Sequence, residues 1–236
     1  FCVDGSRQKQ GVDFHETFAP VVGWATVRIT LILSVLCNLH CRQIDFVQAF
    51  PQANIDMPVY LRPPQGWSHT DDQGHNDYIL RLKKNLYGTR QGARNWFLKL
   101  KDSLLHHGFT QSRIDPCLFL KDSCILLVYT DDTLLFGRTQ QALTDVIADL
   151  QTDLTLTDEG EVTDFLGIRI VRDTTTATIT LTQPGLIDQI LADLHLTGTK
   201  SQCARFSIDP KLIHEKAIKH IGRYLYHTRT QGIVLR

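Results

Sequence analysis

A chain of 236 residues, 42% hydrophobic and 21% charged with a formal net charge of zero, has an ordinary globular composition that excludes disorder. It is long enough to bury one large core or two modest ones. No apolar run approaches a membrane span and nothing at the N-terminus reads as a signal peptide, so an intracellular chain with no membrane partner is expected.

Phe1 opens the chain and Met57 is its only methionine, so the sequence is expected to be excised from a longer product. Six cysteines, Cys2, Cys37, Cys41, Cys117, Cys124 and Cys203, form no CxxC pair and read as reduced thiols. Residues 25–39 carry Val27, Leu31, Leu33, Val35, Leu36 and Leu39, which predicts a largely buried helix. A strand is expected over 42–46. Ala93, Trp96, Phe97, Leu100 and Leu104 recur at three and four residues, an amphipathic helix that stops at Gly108. Strands over 124–129 and 133–136 follow, then a helix marked by Ala142, Val146, Ile147, Leu150 and Leu154. Strands over 165–171 and 177–182 are expected to form a hairpin around Arg172 to Thr176. Leu186, Ile187, Ile190, Leu191 and Leu194 make a last helix, with Pro184 in its first turn. With no internal repeat or low-complexity linker, the expected class is α+β, helices packed on one face of an antiparallel sheet.

The charges are sorted along the chain. Residues 79–101 hold seven Lys/Arg, namely Arg81, Lys83, Lys84, Arg90, Arg94, Lys99 and Lys101, and no acid. Residues 139–168 hold seven Asp/Glu and no Lys or Arg. Two solvated helix faces would account for this; so would a basic surface for phosphates.

Residues 123–136, "SCILLVYTDDTLLF", place Asp131 and Asp132 between two apolar runs. Each run suits a strand, so the acids belong at a tight hairpin turn. Asp is a favoured turn residue, and in "SHTDDQGHND" the pair Asp71–Asp72 needs no other account. The apolar flanks of Asp131 and Asp132 are different. Two carboxylates about 4 Å apart repel by roughly 4 kcal/mol at an effective dielectric near 20, so a cation is implied, and oxygen ligands suit magnesium. The third acid of such a site is expected to be Asp45 in "CRQIDFVQAF", although a lone Asp there is more often a cap or turn.

"VYTDD" resembles the Tyr-x-Asp-Asp box of reverse transcriptases. "GVDFHETFAPVVGWATVR", "IDFVQAFPQANIDMPVYLRPPQGW", "LKKNLYGTRQGARNWF", "FLGIRI" and "ARFSIDPKLIHEKAIKHIGRYL" resemble, in that order, motifs of the copia-type (Pseudoviridae-like) long-terminal-repeat retrotransposons. The resemblance implies a right-hand polymerase: interleaved fingers and palm over 1–182, the start of a thumb over 183–200, and a helical block over 201–236. It implies an RNA-directed DNA polymerase that takes an RNA template, a DNA primer and deoxynucleoside triphosphates, with two Mg²⁺, or Mn²⁺ as a substitute. It also implies part of a Gag-Pol-type polyprotein, in a cytoplasmic virus-like particle.

By residue, the resemblance makes Asp45, Asp131 and Asp132 the metal ligands and catalytic acids, with Phe46 lending its backbone carbonyl. Phe50 would exclude the ribose 2′-hydroxyl, and core packing is its alternative role. Arg90, Gln91 and Gly92 would line the nucleotide pocket. Tyr129 and Thr130 would face the primer end, and Phe165, Leu166 and Gly167 would form the primer-grip strand, where core packing explains the first two equally well. Lys83, Lys84 and Arg94 would hold template or primer phosphates.

Several positions depart from the family pattern. A Lys–Ala–Arg strand expected just before Cys2–Val3 is not in the sequence, and Arg28, in its helix, reads as structural rather than as a substitute. Thr157 stands where lysine is usual, which removes a donor to pyrophosphate. Lys200 meeting Ser201 looks like an internal deletion. No ribonuclease H or integrase segment is evident, and "HEKAIKH" has Ile218 where a zinc helix would need histidine. Two functions therefore stay open: a working polymerase, or an inactive remnant that folds and binds nucleic acid.

Overall fold

Short apolar runs separated by turn residues divide the chain into helices and strands. The computed structural model describes residues 2–64, 66–67, 79–122, 124–173, 175–194 and 212–235. After a 3-10 turn at Gly5–Arg7 come α1 (Trp24–Leu36), β1 (His40–Phe46), α2 (Ala49–Gln52), β2 (Tyr60–Leu61), β3 (Leu80–Arg81), α3 (Gly92–His106) and β4 (Thr110–Gln111). Then follow β5 (Leu118–Lys121), β6 (Cys124–Tyr129), β7 (Asp132–Gly137), α4 (Gln140–Gln151), β8 (Leu156–Glu161), β9 (Asp164–Phe165) and β10 (Ile168–Asp173). β11 (Thr178–Thr182), α5 (Pro184–Asp193), α6 (Leu212–Thr228) and β12 (Ile233–Leu235) complete the order. The architecture is α+β.

The described residues divide into two compact units, Phe1–Val27 with His40–Gly160, and Arg28–Leu39 with Glu161–Arg236. Residues 161–182 belong to the second unit. Lys200, Ser201, Cys203 and Asp71–Asp72 lie outside the described residues.

The first unit is built on a six-stranded sheet in the order β4-β5-β6-β7-β1-β8. Leu134, Leu135 and Phe136 are consecutive on β7 and all fully buried, so both faces of this strand are covered. That is why "TLLF" reads as an unbroken apolar run rather than an alternation. Leu143, Val146, Ile147 and Leu150 form the buried stripe of α4, which packs against β7. The helix starts at Thr139, whose hydroxyl accepts the Ala142 N–H at 3.1 Å. α3 buries Trp96, Leu100 and Leu104 and is followed by Gly108 at φ +85°, the left-handed stop its sequence predicts.

The N-terminal segment is locked to the loop that precedes α3. The Val3 N–H donates to the Tyr87 carbonyl at 2.8 Å, and the Arg90 N–H donates to the Gln8 side-chain oxygen at 2.8 Å. Two glycines make this approach possible. A Cβ at Gly5 would lie 2.1 Å from the Gly88 carbonyl oxygen, and one at Gly88 would lie 1.9 Å from that of Val3.

The second unit carries an antiparallel sheet in the order β12-β11-β10-β9, with α5 packed against α6. The expected hairpin forms between β10 and β11, and the Asp173 carboxylate accepts the N–H groups of Thr175 and Thr176 in its loop. The single strand expected over 165–171 does not form. Leu166 and Gly167 have φ +52° and +74° and make a two-residue hairpin turn, with Phe165 paired to Ile168. Phe165 is buried, so its ring packs in the core. The helix expected to be largely buried is α1, and it is not: Ile29, Leu33 and Leu36 are 57%, 39% and 68% exposed, and Arg28 is exposed too. Its covered face is Val27, Thr30, Leu31, Ser34 and Val35. Apolar residues all round a helix predict burial only where partners exist to cover every face.

Candidate active site

β1 and the β6–β7 hairpin bring three aspartates to neighbouring strand ends. Asp45 is the register partner of Asp132 across β1 and β7. On the other side of β7, Asp132 pairs with Tyr129, which leaves Thr130 and Asp131 as the two-residue turn. Ile44 and Phe46 are buried, whereas Asp45 between them is partly exposed on the opposite side of the pleat. The acids therefore sit where an apolar sheet ends.

The turn is strained and anchored. Thr130 has φ +54°, a left-handed conformation that costs a β-branched residue on the order of 1–3 kcal/mol. Its carbonyl accepts the Trp96 indole N–H at 2.8 Å, and the Trp96 ring meets Phe46 edge-on at 5.1 Å. Trp96 is 1% exposed, so a core side chain holds the tip in place.

Burial, opposed by a hydrogen bond from Tyr87 and reinforced by the charges of Asp45 and Asp132, holds the Asp131 carboxyl above the usual carboxylate range. Asp132 is raised by burial and by Asp45. One oxygen of Asp131, Oδ1, is buried without a hydrogen-bond partner. Among the described residues no three His, Cys, Asp or Glu side chains already converge as metal ligands, so these acids are neighbours by register rather than a closed cage. The donor set still fits a hard divalent cation. It is all oxygen, it is held at mutual repulsion, and one of its atoms lacks any partner within the protein.

Tyr87, which the sequence does not single out, is the other member of this cluster. Its hydroxyl donates to Asp131 Oδ2 at 3.3 Å, and its ring stacks on Phe50 with centroids 4.6 Å apart and planes 15° from parallel. Burial first, then the Asp131 charge, pushes its phenol pKa up. Its place inside "NLYGTRQGAR" was visible, but its partners are 37 and 44 positions away (87 − 50; 131 − 87), and no local pattern links them. Phe50 lies in the short α2 and is partly exposed.

The residues expected to line a nucleotide pocket have partners within the chain. Gln91 is fully buried; its amide donates to the Asp13 carbonyl at 2.9 Å and its oxygen accepts from Gln8 at 3.0 Å. Gly92 is buried beside it, where a Cβ would meet the Thr89 hydroxyl at 2.7 Å. The Arg90 guanidinium donates to the Gly5 and Ser6 carbonyls and lies over the Phe14 ring. Arg90 and Gln91 therefore bind the N-terminal segment, because a short polar loop held against a passing chain satisfies its donors there first, whereas Gly92 lies beside Thr89 and Phe50. Lys83 and Lys84 are exposed, with Lys84 bonded to Asn54 at 2.7 Å, and Arg94 is half-buried. Lys84 and Lys99 line an open groove of about 570 Å³, but Asp102 and Asp153 line it as well. The exposed Thr157 hydroxyl donates to Glu159 at 2.7 Å.

The profile of the reverse transcriptase (RNA-dependent DNA polymerase) family matches residues 1–206. The chain is 30% identical over 203 residues to the retrovirus-related Pol polyprotein from transposon TNT 1-94 of Nicotiana tabacum, covering 84% of this chain and 15% of that one. It is 32% identical over 212 residues to the Pol polyprotein from transposon RE1 of Arabidopsis thaliana, covering 88% and 14%. The chain thus spans a small part of the curated relatives it matches. The solved telomerase of Candida albicans in complex with the TWJ fragment of telomeric RNA covers 90% of this chain and 44% of that one at 11% identity, with a TM-score of 0.42, too weak a likeness to argue from. Among the described residues no helix is long and apolar enough to cross a membrane. Motif order, the aspartate-tipped hairpin and the family match agree: the chain belongs to the reverse transcriptase family, with the copia-type retrotransposon Pol polyproteins.

Proposed function

We propose that this chain carries the catalytic centre of an RNA-directed DNA polymerase in a right-hand palm, extending a DNA primer on an RNA template with deoxynucleoside triphosphates. The observation that carries this is the Asp45–Asp132 register pair beside Asp131, whose Oδ1 is buried and unpartnered. Asp45, Asp131 and Asp132, with the Phe46 carbonyl, would hold two Mg²⁺, or Mn²⁺ in their place. Bound there, the ions lower the pKa of the primer 3′-hydroxyl and neutralise the departing pyrophosphate.

The chain's own residues do the rest. Trp96 fixes the turn through the Thr130 carbonyl, which keeps Asp131 and Asp132 in one orientation. Phe50 offers a ring edge against the sugar, where a 2′-hydroxyl is the one group that separates the two nucleotide classes. Tyr129 flanks the acids on β6, beside the primer end. Lys83 and Lys84 supply exposed cations for phosphates. Fingers and thumb boundaries, a Gag-Pol-type polyprotein and a cytoplasmic virus-like particle belong to the same proposal.

Primer extension on an RNA template, with Mg²⁺ and deoxynucleotides, tests it beside Asp131→Asn. Extension by the wild type and a loss of at least a thousandfold in the variant, with circular dichroism unchanged, is the expected result. Thr157 favours a second reading, since its hydroxyl is occupied by Glu159 where a cationic donor is usual. In that case a folded wild-type chain retains a nucleic acid duplex and extends nothing.

A further inference from the structure

Tyr87 touches both halves of the proposed chemistry. Its phenol hydroxyl reaches Asp131 Oδ2 at 3.3 Å, while Asp131 Oδ1 has no partner. Its ring lies flat against Phe50 at 4.6 Å. Phe50 itself is carried by a four-residue helix, too short to hold a ring rigidly without such a backing. The loop that carries Tyr87 is fixed from both sides: the Val3 N–H donates to its carbonyl at 2.8 Å, and the Thr89 hydroxyl donates to the Leu86 carbonyl at 2.7 Å. Gly88, at φ +91°, lets the N-terminal segment close over the loop. A tyrosine needed for packing alone would not have its hydroxyl turned to one of three crowded carboxylates.

We infer that Tyr87 is a positioning residue that couples sugar selection to metal binding: its hydroxyl holds one oxygen of Asp131 and leaves the other for a divalent cation, and its ring braces Phe50 against the nucleotide. This rests on the polymerase reading above. The coupling has a direction. Losing the hydroxyl disturbs the carboxylate and spares the ring stack, whereas losing the ring disturbs both.

The test uses the full chain, Tyr87→Phe and Tyr87→Leu, with Asp131→Asn as the reference. Mn²⁺ binding is read first, from the electron paramagnetic resonance signal of the free ion, which needs no activity. Tyr87→Phe should weaken Mn²⁺ binding about tenfold, the worth of one hydrogen bond to a charged acceptor. It should lower kcat for primer extension by a similar factor, while KM for the deoxynucleotide and the preference over ribonucleotides stay as in the wild type. Tyr87→Leu should repeat the loss of Mn²⁺ binding and also cut the deoxynucleotide preference at least tenfold. Wild-type Mn²⁺ affinity in Tyr87→Phe overturns the inference, and so does an intact sugar preference in Tyr87→Leu. If Asp131→Asn binds Mn²⁺ like the wild type, the polymerase reading of the carboxylates fails, and the inference falls with it. If the wild type binds Mn²⁺ but extends nothing, the metal arm alone decides between Tyr87→Phe and the wild type.

Discussion

Asp115 precedes Pro116 in "RIDPC" and is only 7% exposed. Its carboxylate accepts the Gly23 N–H at 3.0 Å, the Thr26 hydroxyl and the Cys117 N–H at 2.9 Å, so it serves the open N-terminus of α1 from a distant part of the chain. Burial pushes its pKa up, but the bonds from Thr26, Gly23 and Cys117 together outweigh burial and hold it below the usual range. A lowered folded-state pKa stabilises the protein above the unfolded value, near 3.9, and that contribution is lost as pH falls through the folded value. Urea denaturation should therefore show Asp115→Ala destabilised by about 2 kcal/mol at pH 7. The same titration repeated below about pH 4 should show the wild type losing stability in a step that Asp115→Asn lacks. Nothing local in the sequence marks this residue, because its partners Gly23 and Thr26 are brought to it only by the fold.

At the scale of elements, legibility followed the source of the signal. The β6–β7 hairpin and α3, α4 and α5 were readable because apolar spacing, a proline and a stop glycine all agreed locally. The strand over 165–171 was misread because "FLGIRI" is apolar enough for one strand, while the positive φ of Leu166 is imposed by pairing rather than announced by composition. The exposed side of α1 was misread for the opposite reason, since periodicity reports which face is apolar and not which is covered. Arg90 and Gln91 come from a motif in sequence, and in the structure their side chains bond to the N-terminal segment. That segment is itself a testable element. Gly88→Ala would put a methyl group against the Val3 carbonyl at a φ of +91°, so limited proteolysis should cut within residues 2–10 much faster than in the wild type, and the melting temperature should fall by at least about 4 °C.

For the molecule as a whole, a formal charge of zero conceals a basic run and an acidic run. Composition alone could not predict binding, because opposite runs cancel in the sum. Phosphate contacts by Lys83 and Lys84 would release counterions, so the combined Lys83→Ala and Lys84→Ala variant should bind a labelled RNA–DNA duplex more weakly whatever its sequence. Its log–log slope against salt should flatten by about 1 to 2. An unchanged slope would remove these lysines from the interface. The carboxylate site was legible because charge between apolar runs has few physical explanations. Its support from Trp96 and Tyr87 was not, since both contacts are made across the sheet's end between residues far apart in the chain.

The facing glycines at 5 and 88 have an evolutionary consequence. Each is small because the other's segment passes against it, and Gly88 also because its φ of +91° disfavours any side chain, so the two share one constraint and Gly88 carries a second. Once either acquires a side chain the segment must lift away, and the space that disciplined the second position disappears. The coupling is therefore one-sided: loss of Gly88 leaves Gly5 free to change, whereas loss of Gly5 leaves the backbone demand at Gly88 in place. In diverging copies of such a sequence, Gly5 should be lost where Gly88 is lost, while Gly88 should outlast Gly5.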